Sequence, residues 1–152
     1  FIRGLFHYLG GLAVSAPVGL WESGLGAGLP LSSLVLVGQR DLDPFEEVLI
    51  DQAEIPHIKP TDDLPVALRR AIAGRPIYLH LDCDVLEPGI VPTDYRHEGG
   101  LSLADLRLCA EVMAEHLVVG VEIAEFQISW SPSGAPVSPR PILDALAPIL
   151  RS

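Results

Sequence analysis

The segment "LHLDCDVLEP", residues 79–88, ends an apolar run in two carboxylates set one residue apart around a cysteine. An aspartate at the buried end of a strand is costly unless positive charge sits against it. Two of them aimed the same way also repel each other. The segment reads as the end of a strand, where residues i and i+2 share a face, so Asp82 and Asp84 point together and Cys83 points away. Paired oxygen donors of this kind suit a hard divalent cation such as Mn²⁺ or Mg²⁺. Solvated loop acids or helix caps are the ordinary alternative for a D-x-D, but the "IYLHL" run before it buries the approach. His80 falls on the same face, as a third ligand or, the better reading, as a hydrogen-bonded core histidine. Cys83 and Cys109 have no partners at zinc-site spacing and read as packing residues.

Other acids fall at comparable positions. Asp43 follows the apolar run "LSSLVLVGQ" (31–39), which reads as a buried strand. Asp43, Pro44 and Glu46 then form the N-cap, first position and N3 acid of a capping box. An aspartate in that role can still offer its free oxygen to a ligand. Glu122 and Glu125 interrupt the apolar run "LVVGVEIAEF" (117–126) and need positive partners. For Glu125 these are a cationic ligand or an arginine such as Arg40 or Arg96.

The elements between these acids are helical. Residues 61–74, "TDDLPVALRRAIAG", carry acids early, arginines late and Gly74 as a stop. Residues 102–116 place Leu103, Leu106, Ala110 and Met113 at helical spacing behind Ser102. A Ser-Pro step opens a last helix over 138–150. Helices alternating with strands apolar on both faces predict an α/β fold with a mainly parallel sheet covered on each side. Ligands gather at the carboxyl ends of such strands. Asp43, Asp82, Asp84 and Glu125 all fall there.

The bulk composition narrows the function classes. The 152 residues are the size of one domain. With 49% hydrophobic residues the chain is apolar, yet no run reaches the roughly 18 apolar residues of a membrane span. A formal charge of −10 without a basic run disfavours nucleic acid as a partner and favours cationic ligands. Two cysteines and no secretory signal set a reducing, cytoplasmic location as the expectation.

The ordered segments resemble the arginase/agmatinase (ureohydrolase) family. "IYLHLDCDVLEPGIVPTDYRHEGGLSLADL" resembles its second metal-binding segment, with D-x-D, an acid-Pro step and a GGL-S/T helix start. "VLVGQRDLDPFE" resembles its G-x-R-D-x-D-P-x-E segment, and "VGVEIAEFQIS" its next strand. "YLGGLAVSAPVG" is similar to the loop and helix after its first metal motif. The resemblance implies a three-layer α/β/α fold and two Mn²⁺ ions that activate a hydroxide for attack on a guanidinium carbon, releasing urea. It further implies Asp82 and Asp84 as metal ligands and Glu125 as the guanidinium partner. Asp43 would meet the α-amino group of arginine, which favours arginase over agmatinase. Homo-oligomers are common in the family.

Several family features depart from this pattern. G-G-D-H and D-A-H-x-D, which bring the remaining metal ligands, do not occur in the chain. The family's proton-relay histidine aligns with Gly10, and His7 lies out of register. "FQIS" replaces an Asn-Pro step. The expectation is therefore a single arginase-like domain over 1–152 that lacks its N-terminal portion: the carboxyl-terminal half of a manganese-dependent ureohydrolase, inactive alone. Agmatinase or another guanidino-acid hydrolase is one alternative. A catalytically silent binding or assembly module is the other.

Overall fold

A computed structural model of the chain describes residues 12–20, 24 and 28–150. His7 and Gly10 lie outside the described residues. The contacts divide the chain into two compact units, one running up to Val35 and including Leu42–Pro56, the other containing Leu36–Asp41 and everything from His57 onward.

The first unit contains α1 (Leu12–Ser15), a 3-10 turn over Leu31–Ser33 and α2 (Pro44–Gln52). The run at 31–39 is therefore not one strand. Pro30 and the bond from Leu34 N–H to the Leu31 carbonyl close its first half into a turn. The α2 start follows its sequence. Glu46 Oε2 accepts from the Asp43 N–H at 2.9 Å, completing a capping box with Pro44 at the first position. Its end does not follow the usual rule, because Glu54 takes the left-handed conformation (φ 52°) that glycine fills most cheaply. The Ile55 N–H bonds to the Ile50 carbonyl and Glu54 N–H to Asp51, and both isoleucines are buried. The two backbone bonds and the burial of both isoleucines accompany the left-handed residue at this cap.

In the second unit, β1 (Leu36–Val37) pairs in parallel with β2 (His57–Ile58). Then come α3 (Leu64–Ile72), β3 (Ile77–Asp82), α4 (Leu103–Met113), β4 (Val118–Ala124), α5 (Arg140–Ala145) and α6 (Ala147–Leu150). β3 and β4 are also parallel, with His80 opposite Glu122 and Asp82 opposite Ala124. Parallel pairs joined through helices give the expected α/β class. The core is built chiefly by helices. Leu64, Leu68 and Ile72 bury one face of α3, and Leu106, Ala110 and Met113 line α4 as their spacing predicts. Leu103 is only partly buried, and Cys109 joins the stripe with its thiol pushed up to about 11 by burial. Ser102 and Asp105 cap α4 reciprocally. Arg69 of α3 grips Glu115, just past α4, with two hydrogen bonds of 2.6 and 2.8 Å.

The expectation that these strands are buried on both faces is corrected by β3 and β4. The register puts Leu79, Leu81, Val121 and Ile123 on one face, where Leu81 is fully buried. Tyr78, His80, Asp82 and Glu122 share the other, and there Tyr78 remains 63% exposed. Alternation of apolar and polar residues marks β3 alone; β4 is apolar except at Glu122, and its Val119 and Ile123 are exposed.

A loop from Glu87 to Gly100 connects β3 to α4, and a carboxylate ties it shut. Glu87 Oε2 accepts the Gly99 and Gly100 N–H groups at 2.9 and 2.6 Å. Beside it, Leu86 and Leu101 form an isolated parallel bridge. This contact explains the second glycine of the GGLS segment. A Cβ at Gly100 would lie 2.5 Å from the Leu86 carbonyl carbon and oxygen. The backbone has little room to yield, because Leu101 N–H bonds to Val85 and Glu87 N–H to Leu101 on either side. Gly100→Ala is expected to lower stability by about 2 kcal/mol or more. Gly99→Ala, with open space around it but φ at 88°, should cost about 1 kcal/mol. Urea unfolding of both variants checks the ranking, and equal midpoints would overturn the close-approach account.

Candidate active site

The D-x-D segment does not continue the strand. β3 stops at Asp82, and Cys83–Val85 form one turn of 3-10 helix. Asp82 causes the turn, since its Oδ1 accepts the Asp84 N–H at 2.9 Å. Alternation along a strand therefore does not place Asp84; the cap does. Cys83 still turns inward, at 1% exposure. Asp82 and Asp84 are partly buried.

These carboxylates share one negative field with Glu125. The Cys83 thiol is pushed up to about 12, first by burial and then by the charges of Asp82, Asp84 and Glu125. Asp84 is raised above the usual carboxylate range. Burial is the main cause, followed by Asp82, with Glu125 adding to it; Thr93 and Arg40 pull the other way. One oxygen of Asp84, Oδ1, is buried without a hydrogen-bond partner. A buried, charged oxygen with no donor costs free energy unless a cation meets it. Glu125 follows the last residue of β4 and holds a left-handed backbone at φ 57°, strain of the sort that collects at functional sites.

The structure thus brings Asp82, Asp84 and Glu125 into one electrostatic neighbourhood. Asp43 belongs to the first unit, where it is the exposed N-cap of α2. His80 is engaged elsewhere: its Nδ1 lies 3.2 Å from Glu122 Oε2, which also accepts from the Tyr78 hydroxyl at 3.3 Å. Glu122 is exposed, so its position places no demand for a buried cation.

Sequence reasoning passed over Arg40 as a site component. It occupies the "GQRD" step after β1, and its guanidinium donates to the carbonyls of Gly38, Val85, Leu86 and His97. Tyr95 covers it at 4.9 Å, and His97 stacks on Tyr95 at 4.7 Å. The signal was available, because an arginine between an apolar strand and two acids has to place five donors somewhere.

The oxygen donors fit a hard divalent cation: two neighbouring carboxylates, one with an orphaned buried oxygen. Among the described residues no group of three or more His, Cys, Asp or Glu is gathered to hold a metal.

In parallel α/β folds ligands bind at the carboxyl ends of the strands, where Asp82 and Glu125 fall. The match to known proteins is specific. Residues 20–135 fit the Arginase family, and the chain belongs to that family. It is 40% identical over 141 residues to the N(omega)-hydroxy-L-arginine amidinohydrolase of Streptomyces lavendulae, covering 93% of this chain and 52% of that protein. The arginase of Bacillus cereus superimposes with a TM-score of 0.71 at 24% identity, over 92% of this chain and 52% of that one. The arginase of Bacillus subtilis gives 0.69 at 17% identity, over 91% and 55%. These structural likenesses establish the fold. The chain spans about half the length of the relatives it matches.

Proposed function

We propose that this chain supplies part of the active site of a manganese-dependent ureohydrolase that cleaves the guanidino group of an arginine-type amino acid. The observation that carries the reading is the orphaned Asp84 oxygen beside Asp82 and within the field of Glu125. Membership of the Arginase family supports it. Asp82 and Asp84 would hold the cations. A bound pair supplies an acidified water and neutralises charge as the planar guanidinium carbon becomes tetrahedral.

The remaining work belongs to the chain. Glu125 faces a planar, bidentate cation, the partner a rim carboxylate recognises best. By pairing with the guanidinium it fixes the angle of attack and keeps the substrate charged and oriented. Asp43, whose cap leaves it exposed, would receive the α-amino group. L-arginine would yield ornithine and urea. The Nω-hydroxy form, on which the Streptomyces relative acts by its name, would yield ornithine and hydroxyurea. An agmatinase activity is the alternative on the same site; a silent binding module is the alternative outside catalysis. We further propose a cytoplasmic homo-oligomer acting on a small guanidino substrate. Among the described residues no helix is long and apolar enough to cross a membrane.

The test is urea and hydroxyurea release by the whole protein with Mn²⁺ and three substrates: L-arginine, Nω-hydroxy-L-arginine and agmatine. The 152-residue chain by itself is expected to bind Mn²⁺ weakly and to release neither product. Activity on agmatine alone would move the assignment to agmatinase. No product from any of the three in the Mn²⁺-loaded whole protein would favour the silent module.

A further inference from the structure

We propose that Arg40 is a positioning residue whose guanidinium, seated against Tyr95, holds the Cys83–Leu86 turn in the shape that presents Asp82 and Asp84 to their ligand. The inference rests on the reading of those two aspartates as cation-binding groups.

Beyond Asp82 the β3–β4 pairing stops, and the next backbone pairing is the isolated Leu86–Leu101 bridge. The turn is held internally by two bonds, Asp84 N–H to Asp82 Oδ1 and Leu86 N–H to the Cys83 carbonyl at 3.1 Å. Of its outward carbonyls, that of Val85 also accepts the Leu101 N–H at 2.8 Å. Arg40 adds a second donor there, with Nη1 3.2 Å from the Val85 oxygen, and reaches the Leu86 oxygen from Nη2 at 3.1 Å. The same guanidinium reaches the His97 oxygen from Nε at 3.0 Å and from Nη2 at 2.6 Å. One cation thereby ties the end of β1, the turn that carries the aspartates and the loop before α4. The Tyr95 hydroxyl returns a bond to the Arg40 carbonyl at 3.4 Å, and Asp41 pairs with His97 at 3.3 Å. A planar fork can reach several carbonyls at once and stack on a ring; an ammonium cannot do both.

Outer groups that orient metal ligands typically change metal affinity by about 10- to 100-fold when lost. The experiment compares the chain with its Arg40→Gln, Arg40→Lys, Tyr95→Leu and Arg69→Gln variants by two measurements. Amide hydrogen exchange at Asp84 and Leu86 reports the order of the turn without any metal. Paramagnetic broadening of the 82–86 amides in a Mn²⁺ titration detects even weak binding there. Arg40→Gln should speed Asp84 exchange by about tenfold or more while α4 amides stay protected. It should also move the Mn²⁺ midpoint up by about tenfold or more. Arg40→Lys should recover part of each effect, and Tyr95→Leu should show smaller shifts in the same direction. Arg69→Gln, which releases the α3 clasp, should leave both readouts unchanged.

Unchanged Asp84 exchange or an unchanged Mn²⁺ midpoint in Arg40→Gln overturns the proposal, as does Arg69→Gln reproducing its effects. If Arg40→Gln does not fold, Arg40→Lys and Tyr95→Leu decide by the same two readouts. Absence of broadening at 82–86 in the unsubstituted chain would overturn the cation reading, while the exchange data still decide the role of Arg40.

Discussion

Asp82→Asn and Asp84→Asn are each expected to strip the whole protein of most of its divalent metal and to lower turnover on the order of a thousandfold or more, whereas Cys83→Ala should leave metal content near normal. Asparagine keeps the size of each side chain and its oxygen but removes the charge that a hard cation requires. Cys83, fully buried with its thiol held at about 12, carries no charge to offer at neutral pH. The effect on stability runs the other way. The folded state raises the pKa of Asp84, so its ionisation opposes folding, and the metal-free fold gains stability as pH falls through that pKa. Asp84→Asn makes that gain permanent, so the variant should melt higher than the parent in chelator at neutral pH. Elemental analysis and chelator-treated melting curves are the two measurements. Metal loss in Cys83→Ala equal to that of the aspartate variants would mean the turn is oriented differently.

Glu125→Gln should retain metal and fold yet lose kcat/KM for the guanidino substrate on the order of a thousandfold or more. The substitution isolates charge, because glutamine at φ 57° meets the same backbone strain as glutamate. It also relieves repulsion on Asp84, so metal affinity should not fall. Steady-state kinetics beside metal analysis decides it. Turnover close to that of the parent would move the guanidinium site elsewhere. Lost metal or a collapsed fold would instead identify Glu125 as a structural ion-pair partner.

What the sequence made legible was whatever a few neighbouring residues settle. The capping boxes at Asp43–Glu46 and Ser102–Asp105 are local chemistry, and both helices start where those residues put them. The parallel pairing followed from strands alternating with helices. The end of β3 was not read correctly, because an aspartate at the end of an apolar run can continue the strand or cap a turn, and the bonds to Val85 and Leu86 that accompany the turn come from Arg40 and Leu101, distant in sequence. Nor was the left-handed cap at Glu54, a conformation that its residue type disfavours. At the site, residue types marked the acids. Their mutual field and the orphaned Asp84 oxygen emerge only from the folded neighbourhood.

Glu125 sits at a backbone angle that glycine or asparagine would occupy with less strain, and its charge adds to the repulsion on Asp84. On backbone strain and that repulsion alone it is among the poorer choices for the position. In a descendant of this chain released from any chemical task, a change to glycine or asparagine there would relieve both. On the role proposed for Glu125, the residue at position 125 in a lineage would record, in a single letter, whether a guanidino substrate is still being served.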